Sequence, residues 1–232
     1  LPADPYKEGY TFIGWSGYTE GDKMPAKDVE YLAVFEANQY DATFDANDGA
    51  WADGDTVKVV EDVVFDTAIT VPADPEREGY TFGGWDPLPG DMPAEDTTYT
   101  AIWNANTDTP YTVEYYTMNE TGEDYEFSGE QILSGTTGAV IASIPVQAPK
   151  GFTVNTEKST YDDSLTIGAD GKTVVTVYYD RIAYTITFDG NEGTVNGEAS
   201  ITNTYYHDAK VAVPATEREG YDFLGWKDAE GN

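Results

Sequence analysis

The chain has no cysteine and one histidine, His207. Disulfide staples and thiolate metal sites are therefore excluded, as are Cys–His and multi-histidine clusters. Positive charge is scarce: 12 basic residues stand against 43 acidic ones, a formal charge of −31. A surface of that sign repels nucleic acid and anionic membrane. No run approaches the roughly 18 uninterrupted apolar residues of a spanning helix, so no membrane insertion is expected within this sequence. No basic start followed by an apolar stretch marks a signal peptide.

What is abundant is aromatic surface: 18 Tyr, 9 Phe and 5 Trp. Such side chains supply large apolar area at little entropic cost, which small modules need. The sequence also repeats itself. Glu8-Gly9-Tyr10-Thr11-Phe12-Ile13-Gly14-Trp15 returns as Glu78-Gly79-Tyr80-Thr81-Phe82-Gly83-Gly84-Trp85 and as Glu219-Gly220-Tyr221-Asp222-Phe223-Leu224-Gly225-Trp226. The first glycines lie 70 and 141 residues apart, so the second interval is twice the first with one residue over. A fixed period of this size denotes an array of similar modules.

Taken in order, residues 1–39 read as the second half of a module. Asp4-Pro5 before Gly9, and Asp74-Pro75 before Gly79, carry the N-cap, first-turn and stop residues of a one-turn helix. Tyr10-Thr11-Phe12 alternates as a half-buried strand, and Tyr31 to Phe35 forms another. Residues 40–106 form a complete module. Tyr40, Ala42 and Phe44 share one strand face, Asn47-Asp48-Gly49 turns the chain, and a strand from about Thr56 to Val60 returns. Met92-Pro93-Ala94 and Tyr99 to Trp103 repeat residues 24–26 and 31–35 at the same spacing. The polar stretch 104–110 reads as a linker. Residues 107–181 form a variant module, opened by Tyr111 to Tyr115 and closed by the β-prone run Thr173 to Tyr179. It has Gly151-Phe152 at its centre and no Gly-Trp. Residues 182–232 read as the first half of another module, opened by Tyr184 to Phe188. Aligned on the period, Leu1 and Asn232 bound two fragments that together cover one module, as in a piece of a longer array.

Three motifs in fixed order carry a family resemblance: Tyr-x-x-Thr-Phe-Asp, Glu-Gly-Tyr-x-Phe-x-Gly-Trp, and Met-Pro-Ala followed by Tyr-x-Ala-x-Trp. With them, residues 1–106 and 182–232 resemble the Listeria–Bacteroides repeat, or internalin B-repeat, family. Residues 111–181 are similar to the mucin-binding-protein type of repeat. The matching parts are Gly151-Phe152 and the stretch from Ala169-Asp170-Gly171-Lys172 to Tyr179-Asp180-Arg181. The resemblance implies a mainly β fold of tandem small β-grasp-like (ubiquitin-like) modules in an elongated array. It implies surface proteins of bacteria, often Gram-positive, and it brings no shared catalytic residues. Leu1-Pro2-Ala3-Asp4-Pro5 has only a superficial likeness to a wall-sorting signal, so anchoring signals are expected outside this sequence.

Several residues invite sharper chemistry. The Gly-Trp pairs could stack sugars, but a tryptophan repeated in a small module reads better as a core anchor, with glycine admitting a neighbouring strand. Asp45, Asn47, Asp48, Asp53 and Asp55 supply oxygens of the kind calcium takes. Gly49 falls one place early for an EF-hand and no glutamate closes the loop, so hairpin chemistry is preferred. Ser200, His207 and Asp208 lack a nucleophile-elbow context. Paired carboxylates of a glycosidase arise by chance among so many acids, and Glu8, Glu78 and Glu219 recur with the turn. No catalytic, cofactor or metal residue is assigned.

The expectation is a non-catalytic stalk of an extracellular, adhesin-like bacterial surface protein, projecting a binding head from a Gram-positive cell wall. The alternative is an adhesive module for a host glycan or protein, acting through 107–181. Neighbouring modules are the expected partners. Strand edges left open in the two half-modules invite head-to-tail self-association.

Overall fold

Alternating residues and turn-forming glycines dominate the sequence, and strands follow from them throughout. The computed structural model describes residues 2–144, 146–160 and 164–228, and no helix occurs among them. Leu1 and Asn232, which bound the alignment of the end fragments, lie outside the described residues. The chain divides into two units, Leu1–Thr109 and Pro110–Asn232.

In the first unit, β1 (Tyr10–Trp15) and β2 (Ala33–Ala37) form an antiparallel pair. A single residue, Asn38, separates β2 from β3 (Gln39–Asp45). With β4 (Val57–Val64), β5 (Tyr80–Asp86) and β6 (Thr97–Ala105), β3 builds a four-stranded sheet in the order β4-β3-β6-β5. The two central strands, β3 and β6, run parallel, and the outer pairings are antiparallel. Asn47 and Asp48 adopt φ of 48° and 66°, as the turn chemistry of that stretch requires. Alternation puts Ala42 and Phe44 inward. The Phe44 ring lies against Trp85 at 5.0 Å and 74° and stacks on Tyr99 at 5.0 Å and 22°. Met92 closes the core at 1% exposure.

The sheet is mixed around a parallel central pair, and irregular chain connects β4 to β5. The one-turn helix expected after Asp74 fails for a nonlocal reason. Glu76 exchanges both backbone hydrogen bonds with Ala50, at 2.8 and 2.9 Å, and so holds the segment extended. One helical turn has no comparable return, since nucleation fixes several residues for one bond. After Asp4, a tight turn forms instead, with Tyr10 N donating to Lys7 O at 3.1 Å.

The Gly-Trp pair also works differently from the expectation. No neighbouring strand crowds Gly14 or Gly84, whose Cβ positions have nothing within 4 Å. Both sit at β-bulges with φ of 143° and 112°. In β5 the bulge shifts the alternation by one residue, so Phe82 and Trp85 both reach the core side. Trp85 is 7% exposed, which fits its reading as a core anchor.

In the second unit, β7 (Thr109–Met118), β8 (Tyr125–Gly135), β9 (Phe152–Asn155) and β10 (Val174–Arg181) repeat the plan as β8-β7-β10-β9, with β7 and β10 parallel. The variant module thus takes the same sheet without Gly-Trp, around Val113, Val175, Val177 and Tyr179. The expected linker 104–110 is mostly strand, since β6 runs to Ala105 and β7 starts at Thr109. Ile182 alone separates β10 from β11 (Ala183–Asp189), which pairs antiparallel with β13 (Ser200–Tyr206). The short β12 (Thr194–Val195) and β14 (Thr216–Glu217) form a further pair. Trp226 packs edge-on to Phe188 at 4.9 Å.

Phe44→Ala should lower the stability of the 40–106 module by about 3–5 kcal/mol, whereas Leu88→Ala, at an exposed position, should change it by less than about 0.5 kcal/mol. Denaturant titration followed by tryptophan fluorescence checks this, since Trp51, Trp85 and Trp103 all report from that module. Equal shifts for the two variants would contradict the assigned core.

Candidate functional site

The face of the β8-β7-β10-β9 sheet opposite its core gathers aromatic and polar groups. Strand alternation sends Val113, Val175, Val177 and Tyr179 inward, which leaves Glu114, Tyr116, Thr176, Tyr178 and Asp180 on the other side. Parallel register sets Tyr178 beside Tyr116 and Thr176 beside Glu114. The two tyrosine rings stack at 5.0 Å and 19°. From β8, Phe127 meets Tyr116 edge-on at 5.7 Å, and Tyr125 meets Tyr178 edge-on at 5.0 Å. Phe127 is 56% exposed, so the cluster is open to solvent. The Lys158 ammonium lies over the rings of Tyr125 and Tyr178, at 4.3 and 5.1 Å.

Polar groups border the rings. Asp180 accepts a short hydrogen bond from the Tyr125 hydroxyl, and Asn155 Nδ2 donates to both Asp180 oxygens at 3.1 Å. The Tyr116 hydroxyl donates to Glu114 at 2.8 Å. Flat rings rimmed by carboxylate and amide groups can receive the C–H face of a sugar and the hydroxyls at its edge. None of these residues stood out in the sequence as a binding residue. The available signal was the tyrosine pair 178–179 beside 115–116, which puts rings on both faces of a strand pair.

The residues that did invite chemistry are held by local structure. Asp45 caps the backbone of Asn47 at 2.8 Å, Asp53 caps Asp55 at 3.1 Å and meets Lys58 at 2.5 Å, and Asp48 pairs with Arg77 at 3.3 Å. The Lys58 hydrogen bond is the main reason that Asp53 sits below the usual carboxylate range. These oxygens thus face donors of the protein itself, and among the described residues no group of three or more acids or histidines is placed to share a metal. Ser200 and His207 are not brought together. Ser200 opens β13 and His207 follows its last residue, about 23 Å away at ~3.3 Å per residue. His207 lies 3.4 Å from Asp208. Glu8, Glu78 and Glu219 are all exposed. In an open cleft bordered by Asp189, Arg218, Tyr221 and Trp226, Asp189 caps Asn191 and Arg218 pairs with Glu192.

Two phenols of the aromatic face are held above the ordinary tyrosine value of 10.0, Tyr116 by its bond to Glu114 and then by burial, Tyr125 by burial and then by its bond to Asp180. The unfolded chain ionises them first. Their contribution to stability is therefore complete below about pH 10 and is lost as pH rises through the folded values. Thermal melts between about pH 9 and 12 should show a falling midpoint that is flattened in Tyr116→Phe/Tyr125→Phe; an equal fall in the double variant would exclude these phenols as the cause.

Comparison with known proteins follows the repeat pattern. The Listeria-Bacteroides repeat domain matches residues 40–114 and 184–232, and the divergent InlB B-repeat domain matches residues 2–39. A protein of Evansella cellulosilytica described as a Gly-rich membrane protein is 29% identical over 95% of this chain and 26% of its own length. Internalin H of Listeria monocytogenes is 35% identical over 48% of this chain and 23% of its own. The chain thus spans about a quarter of the length of these relatives. Since the Listeria-Bacteroides repeat domain matches more than half of the chain, the chain belongs to the Listeria-Bacteroides repeat family.

Proposed function

We propose that the chain is a non-catalytic spacer within a bacterial cell-surface, adhesin-like protein, holding a separate binding head away from a Gram-positive envelope. The observation that carries this reading is the parallel pairing of first and last strands. It makes the chain enter a module at one pole and leave at the other. From Gln39 to Ala105, with Ala42 level with Thr97, the advance is roughly 35 Å at ~3.3 Å per residue. The 111–181 module, with Thr112 level with Val174, advances the chain by roughly 25 Å on the same rise. Neighbouring modules are the partners of this role. The net charge of −31 adds repulsion between them, within a Debye length of about 8 Å. The strand edges of residues 1–39 and 182–232 are a further proposed contact, head to tail with another module of the same kind.

The aromatic face supports a second reading, capture of a host glycan through residues 107–181. Its acidic border favours a neutral sugar over a sialylated or sulfated one.

Two experiments separate the readings. Removing 40–106 from the full-length parent should reduce capture by its head, and an unrelated domain of equal length should restore it; no recovery would overturn the spacer. An array of neutral glycans probed with this chain should be blank. Saturable binding that falls more than about tenfold in Tyr178→Ala, a loss of roughly 1.4 kcal/mol, would instead establish the second reading.

A further inference from the structure

Gly9 and Gly151 occupy equivalent places, just before β1 and β9, and each is covered in the same way by the module that follows. Both have positive φ, 74° and 81°. Their carbonyl oxygens accept from the single connecting residue, Asn38 N and Ile182 N, each at 2.9 Å. The carbonyl of that connector then accepts from the residue just after the next module's returning strand, Phe65 N at 2.8 Å and His207 N at 2.9 Å. The side chain of that same residue lies flat on the glycine. A Cβ on Gly9 would fall inside contact with the Phe65 ring, and one on Gly151 would fall inside contact with the His207 ring. The residue after each glycine adds an edge-on ring, Tyr10 to Phe65 at 5.5 Å and 78°, Phe152 to His207 at 6.4 Å and 81°.

The second junction carries extra fastening. Tyr206 covers Gly122, in the β7–β8 turn, as its neighbour His207 covers Gly151. Arg181 donates from Nε to Met118 O and from a terminal nitrogen to His207 O, both at 2.7 Å, so one side chain bonds to backbone on each side. Gly220 separates two demands on the residue. It has the same φ, 78°, with nothing within 4 Å of its Cβ position. The turn alone asks for positive φ; the absence of a side chain is asked for only where a ring lies on top.

We propose that Gly9 and Gly151, each opening the third strand of its module, are the floor of a self-recognition socket. Its partner is the aromatic residue just after the second strand of the following module, and the contact couples neighbours into one mechanical unit. The coupling deepens the spacer reading and rests on it for its purpose. A single connector residue limits separation, but only a seated contact removes swivel about it, since modules joined by small interfaces otherwise move. Phenylalanine and histidine serve equally because the socket reads a flat ring and a backbone N–H.

The test is the spread of distances between spin labels at Glu130→Cys and Glu198→Cys, both exposed and on either side of the second junction, in a chain with no other cysteine. The parent distribution should be narrow and His207→Phe should keep it. His207→Ala and Gly151→Ala should widen it by about twofold or more, toward the free motion of weakly joined domains. Gly220→Ala carries the same backbone strain without a ring above it and should leave the width unchanged. If Gly151→Ala fails to fold, His207→Ala decides alone. A parent distribution as wide as that of His207→Ala would overturn the coupling. It would do so without touching the glycan or reach experiments, which report on the spacer reading itself.

Discussion

Parallel pairing of a module's first and last strands is the constraint on which the rest depends. Adjacent parallel strands cannot be joined by a tight hairpin, so everything between them must travel out and back. In residues 40–106 that detour contains β4, β5 and the irregular cover that buries Met92 and Ile69. In residues 111–181 it contains β8, β9 and a different cover, built around Ile141 and Ile167. The two covers share little sequence, yet both close over the same pair of central strands. What the repeat preserves is therefore the sheet. The cover can vary as long as it supplies enough apolar area.

The same pairing separates the entrance of a module from its exit. An antiparallel first and last pair would return the chain to its starting pole, and successive modules would crowd there. After β2 and after β10 the exit strand ends beside the glycine turn, and one residue later the next module begins. The connector has its backbone N–H and C=O both bonded, to the module before and to the module after. It contributes to two ladders at once, and so it is an extension of the structure on either side. A longer, unbonded linker would leave those groups to water.

The strands and their phases were legible because alternation is local information. Tyr40 to Phe44 fixes which side faces inward without reference to any other segment, and Val174 to Tyr179 shows its strand character though not its inward side. The misread parts depend on partners far along the chain. The helix expected at Asp74-Pro75 has acceptable local signals, but Ala50 supplies two backbone bonds that no window around residue 74 can contain. The glycine before Trp85 was taken as a packing residue, whereas it provides a bulge whose effect appears only in register against β6. The aromatic face escaped notice because a tyrosine pair in a strand looks like one core residue and one incidental neighbour. The parallel register that aligns Tyr116 with Tyr178 turns two incidental neighbours into a stack.

His207 shows the same logic at the level of modules. As the chain's lone histidine it invites a catalytic reading, and its nearest carboxylate, Asp208, does nothing to discourage one. Its surroundings assign it differently: a glycine beneath, Phe152 and Tyr184 at its edges, and its carbonyl held by Arg181. Phe65 holds the matching place in the first unit with no titratable group at all. A role that two chemically unlike residues fill through the same backbone bond and the same flat contact does not depend on proton transfer. Arrays of this kind gain stability from terms within each repeat and from terms between nearest neighbours. The glycine socket belongs to the second class, so at these two junctions part of what holds a module is located in the module beside it.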